Sequence, residues 1–480
     1  MQNLSVKSFF FCNFAASFGY LYYKEQEMEK NTEREKLGIV YRLFRSYLRF
    51  LHDKVYYKNV YRINEKAIPA DGTPLIIVSN HQNCLNDPLG MVVSFRDRKL
   101  NAITRADVFA YHPLANKFLR GIGLLPAFRI NYEGEAALAK NEETFKMTES
   151  TLLDGNTILM FPEAGHQDKH WLGAFSYGYT KMAFQAAEAG NFEKEIFILP
   201  SCNHYSDYFG IQNQYLVKYG EKISLKPFYE LYKTKPRTAQ REVNALVRKQ
   251  IEDLMLDIRD VENYDAVDFI RLSWGDEVAQ QMGLNHKALP DRLTADKAIV
   301  KAIQEEQAVH PEEIEALYAD ARELKDALDK AGFTLKNLEH TPALLLCSFK
   351  AMLQLALLPL WIFSLWPSLP AYAIPMAFFK KKFKDPMFEG TMLFVFNALL
   401  LLPLFTLITF IVTWVNFNWW TALLYIALFP LLMVFAWKYK EWVKGTVRDI
   451  RYHMASSSVV NKIRTLKQRI GKKLDTLLKK

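Results

Sequence analysis

Short apolar runs alternate with longer amphipathic segments between residues 67 and 235. Three of these runs carry almost no polar side chain: Leu75–Val78, Thr157–Phe161 and Ile196–Leu199. Apolar runs of four or five residues predict strands that are buried on both faces, as in a parallel sheet. The intervening segments 135–153 and 178–190 have the spacing of amphipathic helices. The pattern predicts an α/β fold in which helices flank a mixed or largely parallel sheet.

The stretch Leu37–Tyr57 also has helical periodicity. Its apolar residues, among them Leu43, Tyr47 and Leu51, fall near one face, and four cations are interleaved with them. Such a helix suits the interface between a membrane and water. Packing against the α/β domain explains the same pattern, and both interpretations hold if the helix uses two faces.

Longer apolar segments follow in the C-terminal half, after an acidic region of helical pattern at residues 236–341. Three segments are long enough to span a membrane: Ala343–Leu365, Gly390–Val415 and Trp419–Trp437. Tryptophans stand at both ends of the third, as at membrane interfaces. Prolines interrupt residues 367–379, so we expect 343–379 to form either one span and a half-span or a re-entrant hairpin.

These patterns divide the chain into six parts. They are an uncertain N-terminal leader at 1–36, an amphipathic helix and linker at 37–66, the α/β domain at 67–235, an accessory acidic helical region at 236–341, a transmembrane region at 342–437 and a basic cytoplasmic tail at 438–480. Half of the 480 residues are hydrophobic, which is high for a soluble enzyme and agrees with membrane spans.

Charge is distributed unevenly along the chain, although the net charge is only +9. Residues 438–480 hold 13 lysines and arginines against 3 acidic residues, whereas residues 251–340 hold 10 against 21. A basic tail after membrane spans predicts the cytoplasmic side and can bind anionic lipid headgroups. A solvated charged helix explains the tail equally well, and nucleic acid is the less favoured partner. Four scattered cysteines without framework spacing favour a reducing compartment.

Candidate chemistry begins where the first apolar run ends. His81 lies in the loop after that run, and Asp87 and Pro88 follow as a helix start. Proline suits the first helical position and aspartate the cap before it, so the carboxylate is expected to face the loop. An imidazole steered by a carboxylate can accept a hydroxyl proton near neutral pH. In the alternative, Asp87 only caps the helix and His81 has no chemical role.

Three other short apolar stretches are followed by Arg129, by Glu163 and by Pro200, respectively. Arg129 comes after one of them and offers a planar guanidinium that can hold a phosphate. Glu163 follows the second long run, and Pro200 predicts that the third strand ends there. Because strand ends line ligand crevices in open α/β sheets, these residues are candidates for one site.

In order and spacing, these four blocks resemble the glycerophospholipid acyltransferase family, which includes glycerol-3-phosphate and 1-acylglycerol-3-phosphate acyltransferases. The resemblance covers residues 75–221, under a third of the chain. The chain departs from the family pattern in two places. Five residues separate His81 from Asp87, so Asn86 stands where the commonest pattern has its acid. Residues 164–166 read Ala-Gly-His where Gly-Thr and a further residue are usual, which leaves the acceptor less defined.

The resemblance implies a role for each matching residue. His81 would deprotonate the acceptor hydroxyl, and Asp87 would orient the imidazole. The implied substrate-binding residues are Arg129 for the acceptor phosphate, Glu163 for the acceptor, Gly123 and Gly165 for close backbone approach, and His166 in place of the missing hydroxyl. The reaction needs neither a metal nor another cofactor.

The implied activity joins an acyl chain, carried by coenzyme A or acyl carrier protein, to a phosphorylated glycerol in phospholipid biosynthesis. We expect an integral membrane protein that contacts membrane lipids, with its catalytic domain on the cytoplasmic side of a bacterial inner membrane or its equivalent. Two alternatives stay open. One is the same chemistry on another acceptor, such as an amino-acid lipid or another lysophospholipid, and the other is an inactive membrane scaffold.

Other sites are less well supported by the sequence. Cys84 lies close to His81, but nothing in a loop makes the two side chains face each other. The chain has no Gly-x-Ser-x-Gly elbow, which disfavours a hydrolase built on Ser79. His166, Asp168 and His170 lack further well-spaced metal ligands, so a solvated loop is expected there.

Overall fold

The computed structural model describes residues 38–95, 97–106, 113–127, 136–163, 165, 169–382 and 387–479. The predicted leader at 1–36 lies outside these ranges. The described residues form two compact units. The first, here called the α/β unit, contains the residues up to Met255 together with 387–400. The second, the helical unit, contains residues 256–382 and 401–479.

Regular elements in the described residues are numbered in chain order. The strands are β1 (Tyr57–Ile63), β2 (Leu75–Ser79), β3 (Leu100–Arg105), β4 (Leu124–Ala127), β5 (Thr157–Met160), β6 (Phe197–Tyr205), β7 (Asn213–Tyr219) and β8 (Ile223–Ser224). The helices are α1 (Ile39–Phe50), α2 (Asn86–Ser94), α3 (Pro113–Gly121), α4 (Ala136–Leu153), α5 (Gly178–Ala189), α6 (Tyr229–Thr234), α7 (Pro236–Leu254), α8 (Tyr264–Gln281), α9 (Leu289–Val309), α10 (Pro311–Ala331), α11 (Leu335–His340), α12 (Leu344–Lys382), α13 (Phe388–Phe396), α14 (Leu402–Asn416), α15 (Trp419–Met454) and α16 (Ser457–Leu478).

One mixed sheet organises the α/β unit, in the order β1-β7-β6-β2-β5-β3-β4, with β8 paired to β6. Strands β6, β2, β5, β3 and β4 are mutually parallel, whereas β7 and β8 run antiparallel to β6. All five residues of β2 are buried, as the apolar run predicts. The predicted α/β fold, a mixed sheet flanked by helices, is confirmed.

Strand β6 continues beyond Pro200, where the sequence predicted its end. On one side of β6, β8 pairs with Phe197 and Ile198, and β7 begins to pair only at Ser201. Pro200 therefore lies at the change of partner, where its missing N–H removes no bond from either ladder. Its carbonyl accepts the N–H of Gly220 at 2.8 Å.

The core of the α/β unit lies between the sheet and helices α5 and α7. Ile76 and Ile158 of the central strands pack in one cluster with Phe184 of α5 and Val247 of α7. Helix α7 thus belongs to this unit, although the sequence placed its residues in the acidic helical region. Strand β1 likewise lies in the range that the sequence assigned to a linker, because an edge strand has too little apolar alternation to stand out.

Helix α1 presents an apolar stripe to its exposed side. Ile39, Leu43 and Phe50 are exposed, whereas Tyr41 and Leu48 face the α/β unit. The helix therefore has both a packed and an exposed apolar face, as the two interpretations of its sequence together require.

The helical unit contains the long apolar helices. Two helices in the described residues are long and apolar enough to cross a membrane, Leu344–Trp366 within α12 and Trp419–Met454. Helix α12 runs without a break to Lys382, so neither the predicted half-span nor the hairpin is present. The expected span at 390–415 is divided into α13, a π turn at Asn397–Leu401 and the shorter apolar helix α14.

Residues 438–454 of the basic tail continue helix α15, and the rest of the tail forms helix α16. Four of its cations pair with acidic side chains of α10 and α11, namely Lys462 with Glu323, Lys467 with Glu339, Arg469 with Asp320 and Lys473 with Glu313. Exposed pairs of this kind contribute little stability individually. They nevertheless match the excess positive charge of the tail to the excess negative charge of residues 251–340, so these four cations are engaged within the protein.

Candidate functional site

Two neighbouring parallel strands bring the candidate residues together. Val78 of β2 is in register with Met160 of β5. His81 and Glu163 each follow three residues later, at the same edge of the sheet. The backbone N–H of His81 donates to Glu163 Oε1 at 2.8 Å. The strand-end argument made from sequence therefore places these two residues correctly side by side.

His81 and Asp87 form a hydrogen-bonded pair. The distance from His81 Nδ1 to Asp87 Oδ2 is 2.8 Å, and the imidazole stacks on Phe161 with ring centroids 4.6 Å apart. Asp87 is fully buried, whereas the His81 side chain is 19% exposed. The pair thus has a fixed carboxylate beneath an imidazole that solvent or a substrate can reach.

Three further donors converge on the Asp87 carboxylate. The backbone N–H groups of Gln82 and Asn83 donate to Oδ2 at 2.7 and 2.8 Å. The Tyr205 hydroxyl donates to Oδ1 at 2.6 Å. An environment made of donors suits an ionised carboxylate, because an ionised carboxylate accepts hydrogen bonds and donates none. The His81 Nδ1–H must then be the donor in the pair, and Nε2 is the ring nitrogen that carries the basic lone pair.

Helix α2 begins at Asn86, two residues earlier than the sequence predicted. Asp87 is therefore in its first turn, and the residue in the cap position is Leu85, which makes no side-chain capping bond. The Asp87 carboxylate turns back to the loop because His81 and the two loop N–H groups use its lone pairs. The alternative in which Asp87 only caps the helix does not account for these hydrogen bonds to the loop.

Asn86, which stands at the commoner family spacing, faces elsewhere. Its side-chain amide donates to Asn83 Oδ1 at 3.3 Å. The one-residue longer loop therefore leaves Asp87, and not Asn86, in contact with His81. Cys84 takes up the extra length with a φ of +42°, a left-handed conformation that is uncommon for a residue other than glycine.

Glu163 joins two loops at the strand ends. Besides accepting the His81 N–H, it accepts the N–H of Gly173 on Oε2 at 2.8 Å. Burial raises the pKa of the Glu163 carboxyl to about 6, and the two backbone N–H donors offset only part of this effect. Each oxygen retains a second lone pair, so the same carboxylate can still accept a hydrogen bond from an acceptor hydroxyl.

We expect Glu163→Gln to change stability in a pH-dependent way. Since the pKa of Glu163 rises from 4.5 unfolded to about 6 folded, its contribution is fully present below pH 4.5 and is lost as the pH rises through 6. Glutamine cannot titrate. Relative to wild type, the variant should therefore gain about 2 kcal/mol in unfolding free energy between pH 4.5 and pH 7, at 1.4 kcal/mol per pKa unit.

Urea unfolding of both proteins in the same detergent, at half-unit pH steps, measures this difference. Glu142→Gln changes an exposed carboxylate on α4 and is the matched control. A difference in unfolding free energy between Glu163→Gln and wild type that stays constant across this pH range would contradict the raised pKa of Glu163.

The structure describes two of the other four residues that the sequence predicted for the site, Gly123 and Gly165. Gly123 has a φ of +95°, and a Cβ there would lie 2.6 Å from the Leu100 carbonyl, so strand packing alone requires glycine. A Cβ at Gly165 would meet nothing within 4 Å. Arg129 and His166 lie outside the described residues, and their roles stay predictions.

The rival sites gain no support from the described residues. Cys84 is buried, and no cluster of three metal-ligating side chains occurs in the described part of the chain. Of the three residues weighed as metal ligands, only His170 is described. Its Nδ1 lies 3.0 Å from the Tyr208 hydroxyl.

Tyr205 and a layer of polar contacts beneath the pair were not predicted from the sequence. Asn203 Nδ2 donates to Ser79 Oγ at 3.1 Å, and the Asn203 N–H donates to Asn80 Oδ1 at 2.7 Å. Ser201, Asn203 and Tyr205 alternate along the second half of β6 and so share one face of the strand. This alternation of polar residues after an apolar run is the sequence signal from which these contacts could have been predicted.

The chain was also compared with known families, solved structures and curated proteins. The Acyltransferase family model matches residues 57–203, from β1 into β6. Among solved structures, the chain is similar to the 1-acyl-sn-glycerophosphate (LPA) acyltransferase PlsC from Thermotoga maritima, with 16% identity and a TM-score of 0.31, over 50% of this chain and 96% of that chain. The search of curated proteins found no match. Residues 57–203, which contain His81, Asp87 and Glu163, thus match the Acyltransferase family.

Proposed function

We propose that the chain is a membrane-bound O-acyltransferase of phospholipid biosynthesis. It transfers an acyl group from a thioester to a hydroxyl of glycerol-3-phosphate or 1-acylglycerol-3-phosphate. The observation that carries this proposal is the His81–Asp87 pair, in which a buried carboxylate holds Nδ1 of a partly exposed imidazole.

In the proposed reaction, His81 Nε2 accepts the proton of the acceptor hydroxyl. The hydroxyl oxygen attacks the thioester carbonyl carbon, and the resulting tetrahedral intermediate collapses as the carbon–sulfur bond breaks. The imidazolium returns its proton to the departing sulfur, so the products are an ester and a free thiol. Asp87 stabilises the imidazolium between these steps, and alignment of two substrates at one base supplies much of the acceleration.

The two apolar helices support the location of this chemistry at a membrane. An acyl chain and an acylated glycerol both partition into lipid, so a catalytic domain tethered to a bilayer meets its acceptor or releases its product there. The proposal places the α/β unit on the cytoplasmic side, where acyl thioesters and reduced cysteines are found.

Acceptor-dependent release of thiol from acyl-coenzyme A and from acylated carrier protein tests the activity with the full-length protein in detergent. We expect release with glycerol-3-phosphate or 1-acylglycerol-3-phosphate. Release only with an acyl-amino acid or another lysophospholipid would favour the alternative acceptor that Ala164–His166 suggested. No release with any acceptor would favour the inactive scaffold.

Arg129→Ala tests the proposed phosphate contact. Loss of a charge-assisted hydrogen bond to phosphate should raise KM for the phosphorylated acceptor about 10- to 100-fold, with KM for the acyl donor nearly unchanged. Initial rates at varied acceptor and donor concentrations give both constants. Arg241→Ala, which removes an exposed arginine of α7, is the control. A change in the donor KM alone would show that Arg129 does not bind the acceptor.

A further inference from the structure

Residues 387–400 belong to the α/β unit, although about 130 residues of the helical unit separate them from Met255 in sequence. Helix α13 lies in this segment and is apolar enough that the sequence assigned most of it to a membrane span. Phe394 packs against His52 and Tyr56, with ring centroids 6.1 and 5.3 Å apart. The Tyr47 hydroxyl donates to the Ala398 carbonyl at 2.8 Å. The segment is therefore an integral part of the α/β unit.

The same segment contacts the loop between His81 and Asp87. The hydroxyl of Thr391, which is fully buried, accepts the backbone N–H of Leu85 at 3.1 Å. Leu85 occupies the cap position of α2, where the backbone N–H has no partner within the helix. Thr391 supplies that partner from a position 306 residues away.

A second contact involves the backbone of Gly390. Its carbonyl accepts the Tyr56 hydroxyl at 3.2 Å. A Cβ on Gly390 would lie 2.9 Å from Asn86 Nδ2 and 3.0 Å from the Tyr56 hydroxyl, both on packed side chains. Any larger residue would therefore push α13 away from Asn86, the residue immediately before Asp87.

The contacts of Thr391 and Gly390 fall on the loop between His81 and Asp87, which is one residue longer than the commonest family pattern. Five residues separate His81 from Asp87, and one of them, Cys84, adopts a left-handed conformation. A strained loop conformation persists only where its surroundings hold it. The contacts with α13 lie at Leu85 and Asn86, directly between the strained residue and the carboxylate.

We propose that residues 387–400 form a clamp that holds the His81–Asp87 loop in its catalytic arrangement. Thr391 and Gly390 are its positioning residues. This inference rests on the proposed acyl transfer for its kinetic consequence, although the hold on the loop is independent of the reaction. It also gives the C-terminal region a second role, since part of that region supports the catalytic pair.

The kinetic test compares Thr391→Val with Thr391→Ser in the full-length protein. Valine keeps the shape but removes the acceptor oxygen, so kcat should fall about 10-fold while both KM values change by less than about twofold, because only the base is misplaced. Serine restores the oxygen and should keep kcat within about twofold of wild type. Thr413→Val, on α14, is the matched control and should leave kcat unchanged.

A second test needs no activity. Cys84 is buried in the loop that the clamp contacts, so its labelling by N-ethylmaleimide, located by peptide mass spectrometry, reports opening of the loop. Thr391→Val should raise the labelling rate about fivefold, as expected when one hydrogen bond is lost from the closed state. Gly390→Ala should raise it as well, whereas Gly445→Ala, where a Cβ would meet nothing within 4 Å, should not.

The outcomes separate the clamp from the proposed function. An active wild type whose kcat is unchanged by Thr391→Val overturns the clamp, even if the melting temperature falls. Wild-type labelling rates in both Thr391→Val and Gly390→Ala overturn it whether or not the protein is active. A wild type without acyl transfer overturns the proposed function, and the labelling rates then still decide whether α13 holds the loop.

Discussion

Replacement of His81 by alanine is expected to lower kcat for acyl transfer by about 10²- to 10⁴-fold, the range that a general base contributes. The imidazole accepts the hydroxyl proton, and alanine has no group that can do so. KM for both substrates should change little, because the ring lies at the reacting hydroxyl and the acceptor phosphate is assigned to Arg129. Acceptor-dependent thiol release at saturating substrate measures the effect.

The fold should survive this substitution, since the His81 side chain is partly exposed and lies at a strand end. His340→Ala, which removes an exposed histidine of the helical unit, is the control for loss of a histidine as such. Equal melting temperatures of the three proteins would separate chemistry from folding. Full activity in His81→Ala would end its assignment as the base, and inactivity already in wild type would favour the scaffold alternative.

Local sequence patterns were sufficient to find the pair and Glu163. His81 and Glu163 each lie within three residues of the end of a buried apolar run, and parallel strands align such ends at one edge of a sheet. Asp87 was found because it stands before Pro88 at a helix start. Contacts between residues far apart in sequence leave no local sequence pattern from which they could be predicted. Tyr205 reaches Asp87 across 118 residues, and Thr391 reaches Leu85 across 306. The choice between Asn86 and Asp87 likewise depended on the backbone path of the loop.

Apolar composition was a less specific guide in the C-terminal half. The run at 390–415 has the length of a span, but its first part is buried within the α/β unit, and hydrophobicity alone does not distinguish burial in protein from burial in lipid. Prolines at 367–379 suggested a break that α12 does not have.

Asp87→Asn is expected to lower kcat by about 10²- to 10⁴-fold while leaving a folded protein. The amide can keep its oxygen towards His81, Gln82 and Asn83, since the Tyr205 hydroxyl can rotate and accept from the amide nitrogen. The donors of the loop therefore stay satisfied. The negative charge is lost, however, and the imidazolium that forms during proton transfer is no longer stabilised. Thiol release and substrate KM values measure this loss.

Two further substitutions separate charge from hydrogen bonding. Tyr205→Phe removes one neutral donor and keeps the carboxylate, so kcat should stay within about tenfold of wild type. Asp87→Ala leaves two buried backbone N–H groups without an acceptor and should lower the unfolding free energy by about 3 kcal/mol or more, unlike Asp87→Asn. If Asp87→Asn kept wild-type kcat, hydrogen bonding alone would suffice at this position. The carboxylate would then hold the loop that α13 also contacts, with no part in the proton transfer.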